Sequence, residues 1–261
     1  MTFETKHKWA WPTFLLVVLV ELWLAHAAVF FVHEYAHSFT AWALGWKANP
    51  FVLHVPPVSV TILLLQLGID QGVNGEAIFA AGRSGQAALI SAAGVLGNLL
   101  ITLPLGWLLF RQAQRAGRAA MAFLGYWVVV ASVGNLLDYV PIRTFTDATD
   151  LTMDTYAVEL GLHWSPWMLL AVTGIPFLLI AVWFFSRMEP RALAWLFPAS
   201  RGQRILCTLL TAFVMFCFYG AAGWSDAGPV SHQLSVISVC VMFPLMAALS
   251  WWLVERSART A

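Results

Sequence analysis

Two histidines and a glutamate stand at H-E-x-x-H spacing in "HEYAH", His33 to His37, inside the otherwise apolar stretch "AHAAVFFVHEYAHSFTAWALGW". Residues four apart share a helix face, so His33 and His37 can present two imidazoles to one ion, with Zn–N distances of about 2.0–2.1 Å. Glu34 is about 100° around the helix from His33. It would stand beside the ion rather than bind it, the place of a general base acting on metal-bound water. An ionisable group at membrane depth costs about 2.5 kcal/mol or more, which favours function over packing. The competing reading is a pair of histidines that tie neighbouring helices together by hydrogen bonds. His26 falls near the His33 face and reads first as a lone structural histidine, second as a proton-path group.

Two histidines leave a zinc site short of a third protein ligand. Residues 134–154, "GNLLDYVPIRTFTDATDLTMD", hold four aspartates: Asp138, Asp147, Asp150 and Asp154. After Pro141 the chain turns, and "TDATDLTMDTYAVEL" reads as a helix start, where aspartates also have purely local reasons to occur. Arg143 either steadies these carboxylates or anchors the interface. Ser38, Thr40 and Gln66 are candidates to line a water path to the ion.

The elements that must position these residues are set by composition. Of 261 residues, 60% are hydrophobic and 10% charged, against roughly 25% charged in a soluble domain. The expected fold is an all-α polytopic membrane protein surrounded by the lipid bilayer. A formal charge of +1 with no basic run excludes a nucleic-acid partner. Cys207, Cys217 and Cys240 have no C-x-x-C spacing and read as small apolar residues. The N-terminal apolar run continues into "HEYAH" without a cleavage-like site, so it reads as a retained span.

Six apolar runs reach the length of about 20 residues that a crossing needs, at about 11–45, 85–110, 119–140, 164–186, 203–223 and 232–254. The first would reach roughly 50 Å and must tilt, kink or project. Between the first two, "NPFVLHVPPVSVTILLLQLGID" is broken by Pro56-Pro57 and rich in Val, Ile and Thr. A short re-entrant or β-hairpin element is expected there. With the N-terminus cytoplasmic, most Lys and Arg near span ends face the cytoplasm, while Lys47, Arg83 and Arg143 do not. Both termini are then inside, in a bacterial cytoplasmic (inner) membrane, and "HEYAH" lies toward the outer face. One membrane domain, residues 1–261, covers the chain, with a core at about 11–186 and two further C-terminal spans at about 203–254.

These residues resemble the site-2 protease family of intramembrane zinc metalloproteases. The family carries H-E-x-x-H on a membrane helix, a later G-P-x-x-N-like element, and a distal N-L-L-P-x-P-x-x-D-G-like element whose aspartate is the third zinc ligand. "HEYAH" matches the first element. "AAGVLGNLLITLPL" resembles the second through Gly94 and Asn98, with Val95 in place of proline. "GNLLDYVPIRTFTDATDL" resembles the third through Asn135, Leu136, Leu137 and Pro141. Asp138 stands where the first proline is expected, residues are inserted before the acidic group, and no Asp-Gly follows.

The resemblance implies a Zn2+-dependent endopeptidase that cuts the transmembrane segment of a membrane-protein substrate. His33 and His37 are its expected metal ligands, with Asp150, beside the apparent helix start, or Asp147 as the third. Glu34 is the expected general base, and Asn98 would contact substrate backbone or a developing oxyanion. In the family the zinc site lies toward the cytosolic side, whereas the charge distribution here places it outside. A substrate strand could add to the edge of "FVLHVPPVSVTIL". Two other classes compete. A metal-ion transporter would use Glu21, His26, His33, Glu34 and His37 as a polar stripe and would need ionisable groups deep in other spans. A non-catalytic scaffold of the same fold would have an incomplete site, with neither Asp150 nor Asp147 near both histidines.

Overall fold

The computed structural model describes residues 9–146, 154–225 and 228–260. In chain order its helices are α1 (Trp11–Ala43), two short helices α2 (Val60–Leu65) and α3 (Gly75–Ala80), α4 (Ser84–Arg115), α5 (Ala119–Phe145), α6 (Asp154–Leu162), α7 (Pro166–Leu196), α8 (Arg201–Ala221) and α9 (Pro229–Thr260). The chain is all-α and polytopic. Among the described residues, α1, α4, α5, α7, α8 and α9 are long and apolar enough to cross a membrane.

α1 is apolar all round, so its inward face cannot be found from hydropathy. Packing reveals it: Phe14, Val18, Glu21, Ala25 and Val29 are buried, whereas Leu16 and Leu19 are exposed. The buried positions recur every three or four residues, and the same row continues to His33 and His37. The histidines therefore end a packing seam that runs the length of α1.

That seam meets α5, the most enclosed span. Phe123, Tyr126 and Trp127 on α5 are wholly buried against Phe14 of α1 and Phe184 of α7. Cys207 and Met215 of α8 and Val254 of α9 belong to the same core, so both C-terminal spans pack into it. α4 and α5 approach closely because both are small where they touch. A Cβ on Gly125 would lie 2.6 Å from Phe110 N, and one on Gly106 would lie 2.8 Å from Val128 Cγ1.

Three spans widen into a π turn just before a proline. Asn98–Thr102 precedes Pro104, Phe184–Met188 precedes Pro190, and Ser238–Met242 precedes Pro244. Proline has no N–H and its ring clashes with the carbonyl four residues back; a wider turn relieves the clash without breaking the helix. A further π turn, Asp138–Ile142, contains Pro141.

The expected β-hairpin does not form: no strand occurs among the described residues. The strand-like "VTILLL" is helix α2 instead, with Ser59 Oγ accepting from Ile62 N at 3.2 Å and Gln66 closing it at φ 54°. Val60, Leu63 and Leu64 are exposed apolar residues. A lone strand presenting them to lipid would leave its own N–H and C=O groups unpaired, whereas a helix satisfies them internally. Trp23 Nε1 donates to Leu63 O at 2.9 Å and docks α2 on α1. What remains of β pairing is one antiparallel bridge, His54 with Asp70.

Candidate metal centre

His33 and His37 come from the last turns of α1, and their rings pack edge to face with centroids 4.6 Å apart. Both are almost completely buried. The acid that meets them is Asp154, at the start of α6. Its Oδ2 lies 3.1 Å from His33 Nε2 and 3.3 Å from His37 Nε2. Asp147 and Asp150, the expected third ligands, lie outside the described residues.

Asp154 reaches the histidines because α6 is held at both ends. Thr155 Oγ1 donates to Arg143 O at 2.8 Å, tying the first turn of α6 to the end of α5. At the other end, a Cβ on Gly161 would meet Ser84 O at 2.5 Å and Ala88 Cβ at 2.7 Å, so glycine lets α6 lie directly on α4. Burial alone would raise the Asp154 carboxyl; His37 and His33 outweigh it and hold the group below the usual carboxylate range.

Three features fit a metal ion. First, one atom from each of His33, His37 and Asp154 lies within 4.8 Å of the others, the only such group of His, Cys, Asp or Glu among the described residues. The two Asp154 separations match the roughly 3.3 Å between neighbouring ligands of a tetrahedral zinc with bonds of about 2.05 Å. Second, His37 Nδ1 donates to Ile90 O at 2.6 Å, which fixes the ring with Nε2 facing inward toward Asp154; this atom is buried and makes no hydrogen bond of good geometry, so it is placed to bind an ion once deprotonated. Third, the space beside both Nε2 atoms is kept open by Gly94. A Cβ there would lie 2.3 Å from His37 Nε2 and 2.5 Å from His33 Nε2.

Asn98, at the start of the π turn in α4, is fully buried with Nδ2 3.4 Å from His33 Nδ1 and 2.8 Å from Asn135 Oδ1. Thr102 Oγ1 donates to Asn98 Oδ1 at 3.3 Å and pairs with Ser132 Oγ at 2.8 Å. A carboxamide can donate or accept after a half-turn, so Asn98 can serve either tautomer of His33. The Tyr139 ring packs against that of His33, centroids 4.8 Å apart and planes tilted by 30°. The two asparagines singled out in sequence thus meet, and Asn98 touches a histidine of the group.

Glu34 is buried, and its Oε2 has no partner. His37 and Asp154 act on it electrostatically, and the backbone of Gln71 approaches its carboxylate. The loop carrying Gln71 is fixed by Lys47, whose Nζ donates to Gln71 O, and by the His54–Asp70 bridge.

Other candidates have structural partners. His26 contacts Tyr219 Oη at 3.0 Å and Leu65 O at 3.2 Å, so it joins α1, α2 and α8. Ser38 donates to Pro50 O and Thr40 to Ala36 O. Gln66 donates to Leu63 O. Arg143 pairs with Asp138, Nε to Oδ1 2.6 Å, and lies over the Tyr139 ring. Glu21 and Glu189, on α1 and α7, are buried acids outside this group with unpartnered oxygens.

No known protein family, curated protein or solved structure matches the chain.

Proposed function

We propose that this protein is an intramembrane zinc metallopeptidase of the site-2 protease type, hydrolysing peptide bonds in the membrane-spanning segments of other proteins. The observation that carries this reading is the convergence of His33, His37 and Asp154 on one point, with Glu34, whose Oε2 is unpartnered, on the same helical turn. His33 Nε2, His37 Nε2 and Asp154 Oδ2 would hold the ion. When bound, zinc supplies a Lewis acid and a water acidified toward neutral pH.

The chain's own residues account for the rest. The Ile90 carbonyl fixes the His37 ring, and Asn98 with Tyr139 fixes His33. Glu34 Oε2 accepts a proton from the attacking water and returns it to the leaving amide nitrogen. Asn98 acts through His33 as a positioning residue. A substrate helix must be unwound before its peptide bond is exposed, because each carbonyl is already bonded within the helix. The Gln71 loop beside Glu34 is where the extended segment would lie.

Two observations weigh against the other classes. The polar stripe of a transporter is interrupted at His26, which is committed to Tyr219 and Leu65. Asp154, 3.1 Å from His33 Nε2 and 3.3 Å from His37 Nε2, is placed to serve as a third ligand, which favours a complete site over a non-catalytic scaffold. The distribution of Lys and Arg favours both termini in the cytoplasm, with the centre toward the outer face.

Glu34→Gln tests the reading. The variant should keep its zinc, while cleavage of a membrane-protein substrate falls by about 10²–10⁴-fold and the uncut substrate accumulates in cells. Zinc retained with unchanged proteolysis would remove Glu34 from this role.

A further inference from the structure

Away from the metal centre, α7 and α9 leave a groove of about 480 Å³ between them. Its walls are apolar: Val182 and Phe185 from α7, Leu249 and Leu253 from α9, with Leu137 and Met215 behind. Ser186 and Leu253 also line a second cavity of about 750 Å³, whose lining changes to Arg187, Arg191 and Arg256, with Gln114, Ser257 and Thr260. An apolar groove thus adjoins a cavity lined by three arginines.

Those arginines make no ion pair among the described residues. The acids nearest in sequence are committed elsewhere: Glu255 pairs with Arg204 at 2.9 Å and Arg201 at 3.7 Å, and Glu189 is turned wholly into the protein interior. Arg187 and Arg191 are one helical turn apart and so share a face, while Arg256 is anchored 5.6 Å from the centroid of Trp252. All three arginines are exposed, and an anion with several acceptor oxygens between them would relieve the repulsion among their like charges. Their planar forks match phosphate.

We propose that the adjoining cavities bind one anionic phospholipid, with an acyl chain in the groove and the phosphate among Arg187, Arg191 and Arg256. Leu178, Val182 and Leu249 beside the groove are exposed on membrane-spanning helices, so the groove is reached from lipid rather than from water. The arginine end is the one that charge distribution assigns to the cytoplasmic leaflet, where anionic lipids concentrate, and basic pockets between spans suit such headgroups. A free phosphate would use the arginines and leave the groove unexplained.

The test uses full-length protein, delipidated in detergent. Bound lipid is counted by native mass spectrometry, and thermal melting is titrated with phosphatidylglycerol, phosphatidylcholine or inorganic phosphate. One phosphatidylglycerol per chain should persist and raise the melting temperature, while phosphatidylcholine binds at least about tenfold more weakly and phosphate alone gives no shift. The triple variant R187Q/R191Q/R256Q should weaken phosphatidylglycerol on the order of a hundredfold, about fivefold for each charge. Ala181→Trp, which fills the groove and spares the arginines, should also weaken it. Should the triple variant not fold, R187Q alone, expected about fivefold weaker, carries the test. Equal binding of phosphatidylcholine, a full shift from phosphate, or undiminished binding by a folded arginine variant would overturn the proposal.

Discussion

A single added methyl group at position 94 should empty the metal centre without dismantling the fold. Built onto the existing backbone, the Cβ of Gly94→Ala would sit 2.3 Å from His37 Nε2 and 2.5 Å from both Cε1 and Nε2 of His33. None of these separations is sustainable, so α4 must retreat from α1 or the imidazoles must turn away. Overpacking of this kind costs about 1–3 kcal/mol, tolerable for a core as large as the one around α5. For the metal the effect is larger. A four-ligand zinc site is worth about 10–16 kcal/mol in all, so each displaced ligand removes on the order of 3 kcal/mol, or more than a hundredfold in affinity.

Gly97→Ala is the matched control. It adds a methyl to the same helix pair one turn on, against Ala36 Cβ at 2.8 Å and Val32 O at 3.5 Å, with no imidazole among its nearest contacts. Zinc content after dialysis against a weak chelator, with circular dichroism to check helicity, separates the two. Gly94→Ala should be folded and zinc-free; Gly97→Ala should be somewhat less stable and zinc-loaded. A Gly94→Ala protein holding one zinc at wild-type affinity would refute the assignment of the ligand atoms.

Other expectations follow from the same contacts. Asp154→Asn should lose zinc, whereas Asp138→Asn, which breaks the pair with Arg143, should keep it; metal analysis of the two purified variants decides. Thr155→Val removes the bond to Arg143 O and should cost about 0.5–1.5 kcal/mol, seen as earlier proteolytic cutting between α5 and α6 on limited digestion; unchanged digestion would show that the tether does not hold α6. Glu159, on α6, is pushed up to about 7 by burial and has an unpartnered oxygen. Its folded state favours the protonated carboxyl, so that contribution is complete below pH 4.5 and is lost as pH rises through 7. The melting temperature of wild type should therefore fall more between pH 5 and 8 than that of Glu159→Gln, and equal slopes would dismiss it.

What could be read from sequence was local. H-E-x-x-H works through the pitch of one helix, so His33 and His37 were bound to face the same way once α1 formed. Asn98 and Asn135 were visible as parts of two motifs, though not that they bond to each other. The acid was harder. Asp154 reaches the histidines through the docking of α6 by Gly161 and Thr155, contacts between segments far apart in the chain, and Asp147 and Asp150 lie outside the described residues. Strand propensity misled in "VTILLL", since β preference reflects a half-buried pleated surface, whereas this segment leaves Val60, Leu63 and Leu64 exposed and satisfies its backbone within a helix. The seam from Phe14 to His37 was hidden because a helix apolar on every side carries no periodic signal. Arg187, Arg191 and Arg256 were legible only as markers of orientation; their convergence needs α7 and α9 side by side.

Zinc K-edge X-ray absorption on the purified protein reads the ligand set itself. The expected spectrum has four nitrogen or oxygen neighbours at about 2.0–2.1 Å, outer-shell scattering from two imidazoles, and an altered first shell in Asp154→Asn. Absence of zinc, a sulfur shell near 2.3 Å, or an imidazole signal unaffected by replacing His33 and His37 would contradict a centre built from those three side chains.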